Sequence, residues 1–216
     1  MTNPLTDVEV RVIGSLIEKE STTPDNYPLS LNALTNACNQ TSNREPVVDY
    51  DEDTVLHAVE ALRKRNLVRA VQQSGSRVMK YRHMMADTLT LEPRQAAALG
   101  VLMLRGPQTV GEIKTRTERL ASFDSLEHVE ATLNELIERP AGALVVRLPR
   151  RPGQKEARFA HLLAGEVAAD SGDVEGPARV SAGPDRIGAL EQAVAELRNE
   201  VAELRGQLEA FRRQFE

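Results

Sequence analysis

The chain has 216 residues, 41% of them apolar and 27% charged, with one cysteine and a net charge of −5. This composition fits one large or two small globular domains, and the lone Cys38 excludes an internal disulfide and a cysteine-built zinc site. Residues 164–216 hold 6 Lys and Arg against 11 Asp and Glu, so the first 163 residues balance at 21 of each sign and lack an overall positive footprint for nucleic acid.

In chain order, Thr6-Asp7-Val8-Glu9 spells a capping box with Leu5 ahead of it as a staple residue, and Ile13, Leu16 and Ile17 give the buried stripe of a first helix ending near Glu20. The segment Ser21–Leu29, with two prolines, breaks that helix. Ser30 then caps a short second helix whose Leu31, Leu34 and Cys38 face the core, Cys38 as a small buried residue. Asn39–Tyr50 is a long turn. Asp51, Glu52 and Asp53 open a third helix with the stripe Val55, Val59, Leu62, and Arg63, Lys64 and Arg65 load its last turn, both as the helix dipole favours. LVRAVQQ and RVMKYRH alternate apolar and polar residues around Ser74-Gly75-Ser76, which predicts a hairpin.

The unit then repeats. Val55, Val59, Leu62 and Arg65 match Val129, Leu133, Leu136 and Arg139 at an offset of 74, Lys80–Met85 matches Arg158–Leu163 at 78, and Ile13-Gly14 echoes Leu99-Gly100. The second unit is therefore expected to have helices near Pro93–Arg105, Val110–Leu120 and Asp124–Arg139, and strands Ala143–Leu148 and Glu156–Leu162 around Pro149–Gly153. Residues 164–184, rich in Gly and Pro, read as a flexible linker. Over 185–216 the apolar residues Ile187, Leu190, Val194, Leu197, Val201, Leu204, Leu208, Phe211 and Phe215 alternate spacings of three and four, a heptad repeat expected to pair two chains into a homodimer.

The predicted class is mainly α with small β-hairpins (α+β): a winged helix-turn-helix domain over 1–88, a second over 89–163, each with its own small core, then the linker and a coiled-coil helix. The runs RVIGSLIEKE, TTPDNYPLSLNALTNACNQTSNREPV and RFAHLLAGEV, with the acidic heptad tail, resemble the YceH-like family of bacterial proteins along essentially the whole chain. That resemblance implies tandem winged helices in the bacterial cytoplasm and no established activity. No apolar run approaches the ~18 residues of a membrane span, and Met1–Val10 is too polar for a signal peptide, so a cytoplasmic location without a membrane partner is also what the residues lead one to expect.

Catalysis has little support: there is no phosphate loop, nucleophile elbow or metal-spaced His or carboxylate set, and no cofactor is expected. His83 and His161 fall at equivalent strand ends and read as sharing a structural role. The acidic starts of the third helices disfavour phosphate, while the hairpins are locally basic through Arg69, Arg77, Lys80 and Arg82, and through Arg147, Arg150, Arg151, Lys155 and Arg158. Those cations suit DNA phosphates or, alternatively, discourage edge-strand pairing. Asn36, Asn39, Asn43 and Arg44 around the second helix and turn either read base edges or close turns and caps. With few aromatics, a stacking platform for single strands is not expected. Two readings follow: a non-enzymatic dimer that binds double-stranded DNA through its first unit and basic wings as a regulator, or a scaffold whose winged helices bind an unknown protein partner.

Overall fold

Thr6 begins the first helix by accepting a hydrogen bond from Glu9 N while the Glu9 carboxylate reaches back to Thr6 N, a closed capping box that starts α1 (Asp7–Thr22). The computed structural model describes residues 3–72, 78–150, 154 and 156–165. The linker beyond Gly165 and the heptad helix, with every residue from Ile187 to Phe215 expected to pair chains, lie outside them, as do Arg77, Arg151 and Lys155.

After a 3-10 turn at Pro24–Asn26 come a two-residue strand β1 (Leu29–Ser30), α2 (Leu31–Cys38) capped by Ser30, α3 (Glu52–Lys64) capped by Asp51, β2 (Val68–Gln72) and β3 (Met79–His83). A short helix α4 (Met85–Leu89) leads to α5 (Pro93–Arg105), α6 (Val110–Thr117), α7 (Leu126–Ile137), β4 (Val145–Arg147) and β5 (Phe159–His161). The described chain is thus α+β, seven helices with small antiparallel sheets, and the order of three helices and a hairpin occurs twice.

Both sheets are antiparallel, but they differ in a way that matters below. β1 adds to the first hairpin on the side of β3, so the order is β1-β3-β2 and β3 is the central strand. The second sheet is the pair β4-β5 alone, extended by a bridge between Gln108 and Phe159.

Burial follows the predicted stripes: Ile13, Leu16, Val55, Val59, Leu62 and, in the repeat, Leu99, Val129, Leu133 and Leu136 are fully enclosed. Each such side chain contributes about 1.5–3 kcal/mol relative to exposure. The two cores expected from the sequence are joined. Helix α1 packs along α5, and the buried residues of both repeats form one cluster. The contact is close because a glycine on each helix receives a side chain of the other: a Cβ on Gly14 would lie 2.9 Å from Leu104, and one on Gly100 would lie 2.9 Å from Ile17. Hydrogen bonds reinforce it, with Glu45 N donating to Leu104 O at 2.8 Å and Leu5 N to Leu163 O at 2.7 Å.

Candidate functional site

The turn between α2 and α3 carries three of the residues expected to meet nucleic acid, and most of their polar atoms are already engaged. Helix α2 ends with carbonyls that no later turn of helix can satisfy. Two arginines take them. Arg11, from α1, donates to Cys38 O at 3.2 Å and to Pro46 O at 2.5 Å. Arg44 donates to Ala37 O through both Nε and Nη2, to Glu18 through two bonds of 3.1 and 2.7 Å, and to Asn43 O and Gln40 Oε1. Its side chain has no exposed surface. Arg44 therefore fastens the turn to α1 and presents no charge to solvent, which corrects its placement among the nucleic-acid contacts. Burial, and then the neighbouring Arg44 charge, hold the Arg11 guanidinium below its ordinary pKa.

Asn39 behaves likewise: its amide donates to Tyr50 O at 2.8 Å and accepts from Tyr50 N at 2.9 Å, closing the turn across eleven residues. Asn43 sits at φ 60°, a conformation asparagine tolerates, and accepts a bond from Arg105 of the second repeat. Asn36 remains exposed on α2, within a chain in which it donates to Asn32 and Asn32 donates to Glu52 at 2.9 Å.

The first hairpin is the opposite case. In β2 and β3, Val68, Ala70, Tyr81 and His83 turn toward the core, and the alternation puts Arg69, Val71, Lys80 and Arg82 on the other face. Arg69 stands directly across from Arg82, Lys80 is two pairs along on the same face, and Ser30 lies beside Lys80. No strand of this sheet contributes an acid. Glu20 feels the Arg82 charge, but its carboxylate is bound to His83 Nε2 at 2.9 Å. Arg82 Nε is buried without a hydrogen-bond partner. Beside β2, the C-terminal end of α3 continues the basic surface with Arg63, Lys64 and Asn66 around an open groove that Arg69 also lines; Arg63 is paired with Glu60 at 2.7 Å.

In the second hairpin two of the described cations, Arg147 and Arg158, have acids beside them. Arg147 lies 3.6 Å from Glu130 and stacks over Phe159, and Arg158 donates to Pro107 O at 2.9 Å and faces Glu112 at 3.9 Å. Arg150 is exposed. The face of α7 is acidic, with Glu127, Glu135 and Glu138 exposed and Asp124 just ahead of the helix.

The two histidines that the sequence treats as equivalent have different surroundings. His83 is held by Glu20 and its backbone N donates to the Tyr27 hydroxyl at 2.8 Å. His161 has no such carboxylate, and burial pushes its pKa down to about 4. The Cys38 thiol is buried and pushed up to about 11, as a small core residue would be. Among the described residues no group of three His, Cys, Asp or Glu side chains is placed to hold a metal ion, and no helix is long and apolar enough to cross a membrane.

Sequence reasoning found the basic residues but missed β1, whose two residues are too few to show periodicity, and so missed that Lys80 lies in the middle of a sheet.

A family model described as a protein of unknown function, DUF480, matches residues 5–154. A UPF0502 protein of Geotalea daltonii is 56% identical over 162 residues, covering 75% of this chain and 73% of its own. A UPF0502 protein of Pelobacter propionicus is 52% identical over 177 residues, 80% of each chain, and one of Photobacterium profundum is 51% identical over 167 residues, covering 76% of this chain and 75% of its own. The chain belongs to the DUF480 family of bacterial proteins, as the resemblance read from its sequence implied.

Proposed function

We propose that the two repeated units are winged helix-turn-helix domains, 1–88 and 89–163, and that the protein is a non-enzymatic, dimeric binder of double-stranded DNA acting through its first unit. One observation carries this reading. Lys80 is flanked by strands on both sides, Ser30 of β1 and Val71 of β2, so it protects no edge, and Arg82, just past the end of β1, faces Arg69 directly with no acid on either strand. Like charges placed opposite each other destabilise a sheet by some tenths of a kcal/mol. A cost without structural return is what an anion-binding surface requires, and duplex DNA is the anion that a hairpin beside a helix-turn-helix meets.

The full chain is expected to retain a pool of genomic duplex fragments at low salt, and the triple variant Arg69→Ala, Lys80→Ala, Arg82→Ala to lose at least tenfold in affinity by electrophoretic shift. Equal retention by the variant removes the hairpin from the reading. For assembly, light scattering should give a dimer for the full chain and a monomer for residues 1–163. A monomeric full chain at micromolar concentration refutes the heptad pairing.

The acidic face of α7 favours a second reading, in which that helix docks a protein with a basic surface. Failure of the full chain to bind DNA, with a captured protein lost on Glu127→Gln, Glu135→Gln and Glu138→Gln, selects it.

A further inference from the structure

We infer that the first unit holds the duplex by its phosphates alone and does not read base sequence; this rests on the DNA reading above. In a helix-turn-helix reader, side chains on the turn and at the start of the recognition helix reach the base edges. Here two residues of the turn, Arg44 and Asn39, are already occupied. Every N–H of Arg44 is directed at Glu18, Gln40 or backbone carbonyls, and both amide atoms of Asn39 are held by Tyr50. The start of α3 is Asp51, Glu52 and Asp53, all exposed, and carboxylates entering a groove must pass between two rows of phosphate.

The cations lie elsewhere, in an arrangement suited to a phosphate track. Lys80 and Arg82 are two residues apart on one strand, hence about 7 Å apart on the same face. Arg69 stands about 5 Å across from Arg82. A row of positive groups at that interval is comparable with the spacing of successive phosphates along one strand, and Lys64 at the end of α3 extends it. Among the described residues the sheet face offers no Asn or Gln opposite these cations, so it lacks the amide side chains that read adenine.

Counterion release makes this measurable. Each phosphate neutralised contributes roughly 0.9 to the slope of log affinity against log salt. The experiment takes the full chain and several 25-base-pair duplexes of unrelated sequence and measures affinity by anisotropy between low and moderate salt. Affinities within about threefold across sequences are expected, with a steep salt slope that falls by roughly 0.9 per engaged protomer for each of Lys80→Gln, Arg82→Gln and Arg69→Gln. Circular dichroism melts confirm that each variant is folded; should Arg82→Gln fail that check, the half-exposed Lys80 and the exposed Arg69 supply the same readout. A duplex bound more than tenfold tighter than the others, or a slope unchanged by all three substitutions while binding persists, overturns the inference and leaves DNA binding standing. Absence of binding to every duplex at low salt overturns the DNA reading itself, and this inference with it.

Discussion

Replacing Arg44 with methionine should cost the protein about 3–5 kcal/mol of stability, seen as a large fall in the urea midpoint. The figure follows from what the substitution strands. Arg44 has no exposed side-chain surface, and the Glu18 carboxylate it clasps at 2.7 Å is only 11% exposed. Methionine fills much of the same volume, so the loss is not chiefly a cavity. It leaves a nearly buried carboxylate facing Ala37 O, itself deprived of two donors. Lysine should rescue little, since one ammonium on a flexible stem cannot reproduce a planar fork that meets Glu18 with two nitrogens and Ala37 O with two. The decisive comparison is the double variant Glu18→Met, Arg44→Met. Removing both charges relieves a nearly buried carboxylate that would otherwise keep only Lys19, 3.7 Å away, so the double variant is expected to be more stable than Arg44→Met alone. A double variant that loses the sum of the two single effects would show that the pair is not the unit that fastens the turn.

The same arginine shows why the fold was more legible in the sequence than the site. Helix starts are written locally: Thr6 with Glu9, Ser30 and Asp51 each cap the helix that follows, so boundaries could be read within a few residues. The hairpin strands were legible for a similar reason, because alternation of two residues is visible in a window of seven. What a polar side chain does is not local. Arg44 in a turn reads as an exposed cation, and its partner Glu18 is 26 residues away on a helix whose outer face also carries acids. Asn39 is tied to Tyr50, eleven residues on, and only the closed turn shows it. Helix α4 escaped notice because five residues are too few for a period, and β1 because a two-residue strand is defined by its partner rather than by itself.

These non-local facts change the electrostatic reading. A charge count over each hairpin treats both as basic wings, whereas their described cations have different partners. In the second hairpin Glu130 and Glu112, from neighbouring helices, face Arg147 and Arg158. In the first, the adjoining Glu60 is taken by Arg63 and Glu20 by His83, leaving the sheet face with no acid of its own. Duplication gave both units the same buried pattern, and their surfaces have diverged around it.

The seam between the repeats supplies the second large effect. The echo of Ile13-Gly14 in Leu99-Gly100 marks two places where α1 and α5 pack closely, each glycine receiving a side chain from the other helix. In an exposed helix, Gly→Ala gains up to about 1 kcal/mol of propensity. At Gly100 that gain is opposed by Ile17 Cγ2, 2.9 Å from where the new methyl would stand, and a β-branched side chain enclosed at 4% exposure cannot turn away. Overpacking of this kind costs about 1–3 kcal/mol, so Gly100→Ala should be net destabilising. Gly14→Val should be worse, near 3 kcal/mol, because Leu104 Cγ at 2.9 Å and Met103 Cβ at 3.2 Å both lie close to the backbone of α5. Ile17→Leu moves the branch from Cβ to Cγ and removes the clashing methyl, at a cost below about 1.5 kcal/mol on its own. In that background Gly100→Ala should become neutral or stabilising, a coupling of at least about 1 kcal/mol in a double-mutant cycle of denaturant midpoints. Additive effects would place the two residues out of contact and the repeats in a looser association than this packing describes.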